Sequence, residues 1–87
     1  MSNDIENLKK RLIYRSQYRG TKEMDKLIGS FVNSNINKFN LDQLQELEKF
    51  LSIDDDTLYR FYNSQKKNID GINSNILSLY KSHVYKK

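Results

Sequence analysis

Cysteine, proline, tryptophan and alanine are all absent from this 87-residue chain. Without cysteine, the chain can hold no disulfide framework, no thiolate nucleophile and no cysteine-ligated zinc or iron–sulfur site. The apolar core alone must therefore stabilise a domain that buries only about 60% of the surface of its unfolded chain. The missing residue types, beside abundant asparagine, lysine and isoleucine, indicate an AT-rich coding bias and warn against giving each lysine or asparagine a role.

Long apolar runs are also missing, and none approaches the ~18 residues that a membrane-spanning helix needs. The start of the chain, from Met1 to Glu6, is polar and acidic, which predicts neither a secretory signal peptide nor a mitochondrial-type presequence. We therefore expect a cytoplasmic protein of bacterial type without direct membrane insertion. Its net charge of +4 permits an acidic partner but falls short of the clustered basic pattern of a dedicated nucleic-acid binder.

Apolar residues recur at steps of three and four in five segments, and the sustained alternation typical of strands is missing. This pattern predicts an all-α fold, a compact bundle of five short helices in a single domain over residues 1–87. The ordered core should cover about residues 4–84, with a disordered tail at Lys86 and Lys87. The helices are expected to begin near Asp4, Thr21, Asn40, Asp54 and Asp70.

The second helix carries the clearest apolar stripe, with six residues on one face. Phe50 is expected on the flank of the third helix, whose start at Asn40 and Gln43 has the pattern of a capping box. The aromatic residues of the fourth helix are expected to serve the core. The predicted core residues are Ile5, Leu8 and Leu12 in the first helix, Met24, Leu27, Ile28, Phe31, Val32 and Ile36 in the second, Leu44, Leu47 and Leu51 in the third, Leu58, Tyr59, Phe61 and Tyr62 in the fourth, and Ile69, Ile72, Ile76, Leu79 and Tyr80 in the fifth.

Residue types for catalysis or metal binding are scarce. His83 is the single histidine and lies near the end of a predicted helix, where a surface or half-packed side chain is typical. The three glycines are too far apart for a phosphate-binding loop. The aspartates at 54–56 fail the spacing of an EF-hand, whereas carboxylates at a helix start stabilise that helix. We therefore predict no enzyme, no catalytic residue and no metal site.

One glycine separates the first two predicted helices, between an arginine and a glutamate. Gly20 readily adopts the left-handed backbone conformation that ends a helix. We expect an exposed corner that presents Arg19 and Glu23 outward as an oppositely charged pair for a partner protein. Arg11 and Arg15 share one face of the first helix, with Tyr18 next along it. They form either a solvated face or a basic and aromatic patch that recognises an acidic surface, a phosphate or a cofactor; their spacing leaves both interpretations open.

Residues 19–23, Arg-Gly-Thr-Lys-Glu, resemble the Arg-Gly-x-x-Glu motif of the SdhE family of FAD assembly factors. This family is called succinate dehydrogenase assembly factor 2 in mitochondria and was once labelled antitoxin-like CptB. Residues 11–14, Arg-Leu-Ile-Tyr, lead into the motif at the family's spacing, and residues 50–61 resemble its second block of two apolar residues, paired aspartates and Leu-aromatic-x-aromatic. The chain departs from the family pattern at Tyr18, where a second basic residue is common.

The resemblance implies a non-enzymatic assembly factor, or chaperone, that binds the flavoprotein subunit of succinate dehydrogenase, and in some bacteria fumarate reductase, and promotes covalent attachment of FAD. The FAD would belong to the client, with none bound stably by this chain, which we expect to be a monomer without a nucleic-acid partner. The alternatives are a small basic nucleic-acid-binding module and an antitoxin-like regulatory protein. The residues expected to bind the partner are Arg11, Arg15, Arg19, Gly20, Glu23, Asp54 and Asp55.

Overall fold

The computed structural model describes residues 2–84, and their side chains from residue 4 onward, as five helices. No strand occurs in that part of the chain, and the all-α prediction is confirmed. None of these helices is both long enough and apolar enough to cross a membrane. The predicted tail at Lys86 and Lys87 lies outside the described residues. The helices are α1 (Ser2–Gln17), α2 (Lys22–Asn35), α3 (Leu41–Leu51), α4 (Asp55–Asn63) and α5 (Ser74–Ser82), with a 3-10 turn (Ile36–Lys38) after α2.

Polar side chains determine where the helices begin, because the first amides of a helix lack partners within it. Ahead of α2, Thr21 Oγ1 accepts a hydrogen bond from the amide of Met24 at 3.2 Å. Ahead of α3, Asn40 and Gln43 form the predicted capping box, in which each side chain accepts from the other residue's amide at 2.8–2.9 Å. These two starts therefore lie where the sequence indicated.

The fifth helix begins at Ser74 rather than near Asp70, which corrects the predicted boundary. Gly71 has a positive φ of 80°, a left-handed conformation that a continuous helix does not contain. Two residues later, the side chain of Asn73 accepts a hydrogen bond from the amide of Ile76 at 3.2 Å. The helix therefore starts after a glycine turn, directly after the residue that caps it.

The core is centred on three aromatic side chains from three different helices. Phe31, Phe50 and Tyr80 are fully buried, and their ring centroids lie 5.0–5.5 Å apart. The hydroxyl of Tyr80 donates to the carbonyl of Leu58 at 2.8 Å, which satisfies its polar end. The prediction that Phe50 lies on a flank is wrong, because α3 packs against both α1 and α5 and is covered on two sides.

The stripe predicted on α2 is confirmed along its whole length. Other details of the predicted core are wrong: Tyr59 and Leu79 are 42% and 39% exposed, while Leu77 is fully buried. The buried face of α5 runs through Ile76, Leu77 and Tyr80. At about 3.6 residues per turn, Leu79 lies on the opposite side of the helix from Leu77 and is therefore turned outward. The confirmed residues are Met24, Leu27, Ile28, Phe31 and Val32 in α2 and Ile36 in the 3-10 turn that follows it.

Helices α1 and α2 pack closely against each other, and this packing positions the turn between them. A Cβ atom on Gly29 would lie 3.6 Å from Gln17 Cγ and 3.7 Å from the carbonyl oxygen of Ser16. Ser16 is itself fully buried, and its hydroxyl donates to the carbonyl of Ile13 at 2.7 Å. The end of α1 is thus held against the middle of α2, which places the turn 18–21 at one end of the bundle.

Candidate functional site

The turn between α1 and α2 places the backbone of Gly20 at the surface. Gly20 has a positive φ of 125°, as the sequence predicted, and an L-residue with a side chain would be strained there. The amide of Arg19, the residue before Gly20, donates to Asp25 Oδ1 at 2.5 Å. The first turn of α2 therefore fixes the backbone of Arg19. The exposed corner expected at Gly20 is therefore present.

The side chain of Arg19 points into the protein, which corrects the prediction that it faces a partner. Only 9% of this side chain is exposed. Its Nε donates to Asp55 Oδ1 at 2.7 Å, and its two terminal nitrogens donate to the carbonyls of Leu51 and Ile53, each at 2.5 Å. The guanidinium group is engaged within this chain and does not form the outward half of a charge pair.

The end of α3 explains why Arg19 turns inward. The last carbonyls of a helix have no partner within that helix, and Leu51 is the final residue of α3. A guanidinium group carries five N–H donors in one plane, so it can bond the carbonyls of Leu51 and Ile53 and the Asp55 carboxylate together. We call this set of bonds the Arg19 clasp.

Glu23 lies exposed in the first turn of α2, close in sequence to the exposed Gly20. A carboxylate in this position interacts favourably with the partial positive charge at a helix start. The predicted outward position is therefore confirmed for Glu23 but not for Arg19. The Arg-Gly-x-x-Glu segment divides into a buried arginine that organises the corner and an exposed glutamate beside it.

Arg11 and Arg15 both contact one carboxylate on α3. Their terminal nitrogens lie 3.3 Å and 3.6 Å from Glu48 Oε2. Arg11 is 61% exposed, and an ion pair this open to solvent contributes less than about 1 kcal/mol to stability. The two arginines are thus neither a purely solvated face nor an uncompensated basic patch, because Glu48 offsets part of their charge.

Asp54 and Asp55 lie at the start of α4 and have different partners. Asp54 is exposed and caps the helix, accepting from the hydroxyl of Thr57 at 2.7 Å and from its amide at 3.1 Å. These bonds, led by the one from the Thr57 hydroxyl, hold the pKa of Asp54 below its ordinary value. Asp55 contacts Arg19 through Oδ1, and its Oδ2 is 3.6 Å from the place that a Cβ of Gly20 would occupy.

An open groove brings the end of α1 together with the start of α4. Two tyrosines stand at its edge: Tyr14 and Tyr18 are 63% and 68% exposed, and their ring centroids are 4.6 Å apart. The sequence indicates Tyr18 in one interpretation, the basic and aromatic patch with Arg11 and Arg15, but it does not mark Tyr14, although two tyrosines four residues apart on a helix share a face. The groove is lined by Tyr14, Arg15, Tyr18, Arg19, Leu51, Asp54 and Asp55.

A second depression shares Asp55 with the first. It includes Tyr59, whose exposure the sequence pattern did not reveal, and the exposed Glu23. Together the depressions form one area around Gly20, which we call the Gly20 surface: Tyr14, Tyr18, Gly20, Glu23, Asp54, Asp55 and Tyr59. The Arg19 clasp lies beneath it and joins its two halves.

His83 lies at the end of α5, apart from the Gly20 surface. Its Nε2 is 2.8 Å from the hydroxyl oxygen of Ser30, and its ring centroid is 5.8 Å from that of Phe31. Burial of the ring lowers the pKa of His83. Within the described part of the chain, no three histidine, aspartate or glutamate side chains gather in a way that could hold a metal ion.

A family model described as Sdh5, flavinator of succinate dehydrogenase, matches residues 10–84. The chain belongs to this family. The match spans the whole Gly20 surface and confirms the resemblance carried by residues 19–23 and 50–61. No solved structure gives a significant match.

Three curated relatives of this Sdh5-family chain are named succinate dehydrogenase assembly factor 2, mitochondrial. The relative from Dictyostelium discoideum is 31% identical over 80 residues, which are 92% of this chain and 57% of the relative. The relative from Aspergillus flavus is 38% identical over 56 residues, 64% of this chain and 19% of that protein. The relative from Arabidopsis thaliana is 30% identical over 65 residues, which are 75% of this chain and 35% of the relative. This chain therefore spans between about a fifth and three fifths of the length of these relatives.

The prediction of a cytoplasmic location is wrong by the same comparison. It rested on the polar, acidic residues from Met1 to Glu6, whereas the matched relatives are named as mitochondrial proteins. The composition of a few residues at the start of a chain is a weaker guide to compartment than similarity across most of the domain.

Proposed function

We propose that this protein is an assembly factor that binds the flavoprotein subunit of succinate dehydrogenase and promotes covalent attachment of FAD to it. The observation that carries this proposal is the match of residues 10–84 to the flavinator family. The names of the relatives, which describe assembly of succinate dehydrogenase, support the same function.

The Gly20 surface is the area that we propose for docking. Tyrosine is enriched among the residues that dominate protein interfaces, and three tyrosines are exposed here. Gly20 lies exposed among them, so that a partner backbone can approach closely where no side chain intervenes. Arg19 contributes from below, because its clasp holds the Gly20 turn and the start of α4 in one fixed arrangement.

The proposed mechanism is conformational rather than catalytic. FAD belongs to the client, and the bond forms between the flavin and a side chain of the flavoprotein subunit. A factor that binds one client conformation more tightly than others raises the population of that conformation. We propose that this chain, acting as a monomer, stabilises the client in the conformation in which FAD attachment proceeds.

Co-expression with the cognate flavoprotein subunit tests the proposal. The flavin fluorescence of the denatured subunit, measured in a gel, reports covalent attachment, because flavin that is not covalently bound is lost on denaturation. We expect more fluorescence with this chain than without it, in a host that lacks its own assembly factor. Equal fluorescence in both samples contradicts the proposed function.

A matched pair of double variants tests whether docking uses the Gly20 surface. Tyr14→Ser with Tyr18→Ser removes two exposed rings from it, and we expect reduced flavin attachment. Leu79→Ser with Val84→Ser removes exposed apolar side chains elsewhere, at the 39% and 84% exposed positions of α5 and its end. If the two double variants reduce attachment equally, the Gly20 surface is not the docking area.

A further inference from the structure

The charge of the Gly20 surface is opposite to that of the whole chain. The chain carries a net charge of +4, yet the residues lining the two depressions include the four carboxylates of Glu23, Asp54, Asp55 and Asp56, and only two guanidinium groups. The chemistry of a partner that fits this surface therefore follows from the charge of the surface itself and not from the net charge of the chain.

Both guanidinium groups in the groove already contact a carboxylate of this chain. Arg19 bonds Asp55 and two backbone carbonyls. Arg15 lies 3.6 Å from Glu48 on α3, a carboxylate that it shares with Arg11 and that therefore offsets only part of its charge. Asp54, by contrast, accepts hydrogen bonds from the hydroxyl and the amide of Thr57, which are uncharged donors. Arg60 on α4 also attracts the Asp54 carboxylate, but its guanidinium pairs with Asp56 at 2.7 Å. The carboxylate of Asp54 is therefore the charge in the groove that no cation of the clasp offsets.

The aromatic rings beside Asp54 have the same preference for cations. The faces of Tyr14 and Tyr18 carry the negative part of the ring quadrupole, which attracts an ammonium or guanidinium group. Both rings are more than half exposed and line the groove that contains Asp54. A planar guanidinium can stack on a tyrosine face and also donate two hydrogen bonds to a carboxylate, whereas an ammonium group cannot match both geometries at once.

We propose that the groove between Tyr18 and Asp54 receives an arginine side chain of the flavoprotein subunit. This assignment rests on the proposed function and names the partner chemistry of the same surface. The client segment that docks here is basic, and it meets an acidic and aromatic patch on a chain whose overall charge is positive. Charge complementarity of this kind raises the association rate and disfavours acidic partners.

Substitutions at two positions, Asp54 and Tyr18, separate the charge from the ring with little change to the fold. Asp54→Asn removes the negative charge but keeps a residue that caps helices as well as aspartate does. Asp42→Asn is the matched control, because Asp42 lies exposed in the first turn of α3, outside both depressions. Tyr18→Leu removes the ring face but keeps apolar area, and Tyr18→Phe keeps the ring.

The experiment measures the dissociation constant of each variant for the purified cognate flavoprotein subunit at low and at high salt. For Asp54→Asn we expect binding weaker by about tenfold at low salt, with a smaller loss at high salt, since screening weakens exposed charge pairs. For Tyr18→Leu we expect a loss of about threefold, and less for Tyr18→Phe. Asp42→Asn should bind as the unchanged chain does.

The outcomes distinguish this inference from the proposed function. If the unchanged chain does not bind the flavoprotein subunit, the proposed function fails. If it binds and supports flavin attachment while Asp54→Asn and Tyr18→Leu bind with unchanged affinity, the arginine site is wrong and the function stands. Tighter binding by Asp54→Asn would show that the client presents an acidic surface, and that result also overturns the assignment.

Discussion

Asp55 accepts a hydrogen bond of 2.7 Å from Nε of Arg19, a residue 36 positions earlier in the chain. This bond joins the turn after α1 to the first turn of α4, the two segments that carry the family resemblance. The Gly20 surface exists as one area because the bond holds its halves together. In the proposed docking, Arg19 acts through the geometry of its neighbours, and its substitution should affect stability as well as docking.

Replacing Arg19 by glutamine should lower the free energy of unfolding by about 3 kcal/mol. The substitution leaves the half-buried carboxylate of Asp55 without its cation and the carbonyls of Leu51 and Ile53 without their donors. Arg19→Lys keeps the charge but not the planar set of donors, so we expect an intermediate loss. Urea denaturation followed by circular dichroism measures the change.

The control for this prediction is Arg11→Gln. Arg11 is 61% exposed, so its substitution should change the free energy of unfolding by less than about 0.5 kcal/mol. If Arg19→Gln unfolds like the unchanged chain and loses only client binding, Arg19 faces the partner and the clasp has no structural role.

The same substitution at two glycines should change stability in opposite directions. Gly20→Ala should lower the free energy of unfolding by about 1–2 kcal/mol, because its φ of 125° is strained for alanine although its nearest contact, Asp55 Oδ2 at 3.6 Å, is ordinary. Gly29→Ala should raise it by about 0.5–1 kcal/mol, because α2 is helical there and the new methyl would meet Gln17 Cγ at 3.6 Å.

Thermal denaturation of the two variants side by side provides the measurement. A gain in stability for Gly20→Ala would mean that the turn adopts a negative φ in solution. A loss for Gly29→Ala would mean that α1 and α2 pack too closely to admit a methyl group.

The contrast between α2 and Arg19 shows what a single sequence can reveal about this protein. The stripe from Met24 to Ile36 could be predicted because helical periodicity is local and one face of α2 is buried. The direction of Arg19 could not be predicted, because its acceptors at Leu51 and Ile53 are backbone carbonyls that leave no mark on the sequence. Gly20 was predictable because glycine is the residue that a positive φ favours.

Phe50 illustrates a second limit. Its helix carries a leucine stripe that defines one buried face, and Phe50 lies to the side of that stripe. It is nevertheless fully buried, because α5 covers the side of α3 that periodicity assigned to the edge. Which helix covers which face depends on packing between distant segments, and periodicity within one helix does not report it.

Phe50→Ala should lower the free energy of unfolding by about 3–5 kcal/mol. The ring packs against those of Phe31 and Tyr80, with centroids at 5.5 Å and 5.0 Å, so its loss opens a cavity at the centre of the core. Leu41→Ala, at a 46% exposed position on the same helix, should change it by less than about 0.5 kcal/mol. Urea denaturation measures both, and similar values for the two variants would place Phe50 at the edge of the core.

His83 should make stability depend on pH in mildly acidic solution. Burial against α2 disfavours the protonated imidazole, so the pKa of His83 in the folded chain lies below its ordinary value of 6.5. Below pH 6.5 the unfolded chain therefore binds a proton that the folded chain resists, and stability falls as the pH falls. The lowered pKa of Asp54 acts in a separate window, because its contribution is present above its ordinary value of 3.8 and is lost only in stronger acid.

His83→Gln should reduce the dependence of the melting temperature on pH between about pH 7.5 and about pH 5. The glutamine amide has no titration in this range and can still reach the hydroxyl of Ser30, which lies 2.8 Å from the imidazole in the unchanged chain. Differential scanning fluorimetry at a series of pH values measures the slope for both chains. Asp42→Asn is the control and should leave the slope as it is. Equal slopes for His83→Gln and the unchanged chain would show that the histidine is solvated and does not pack against α2.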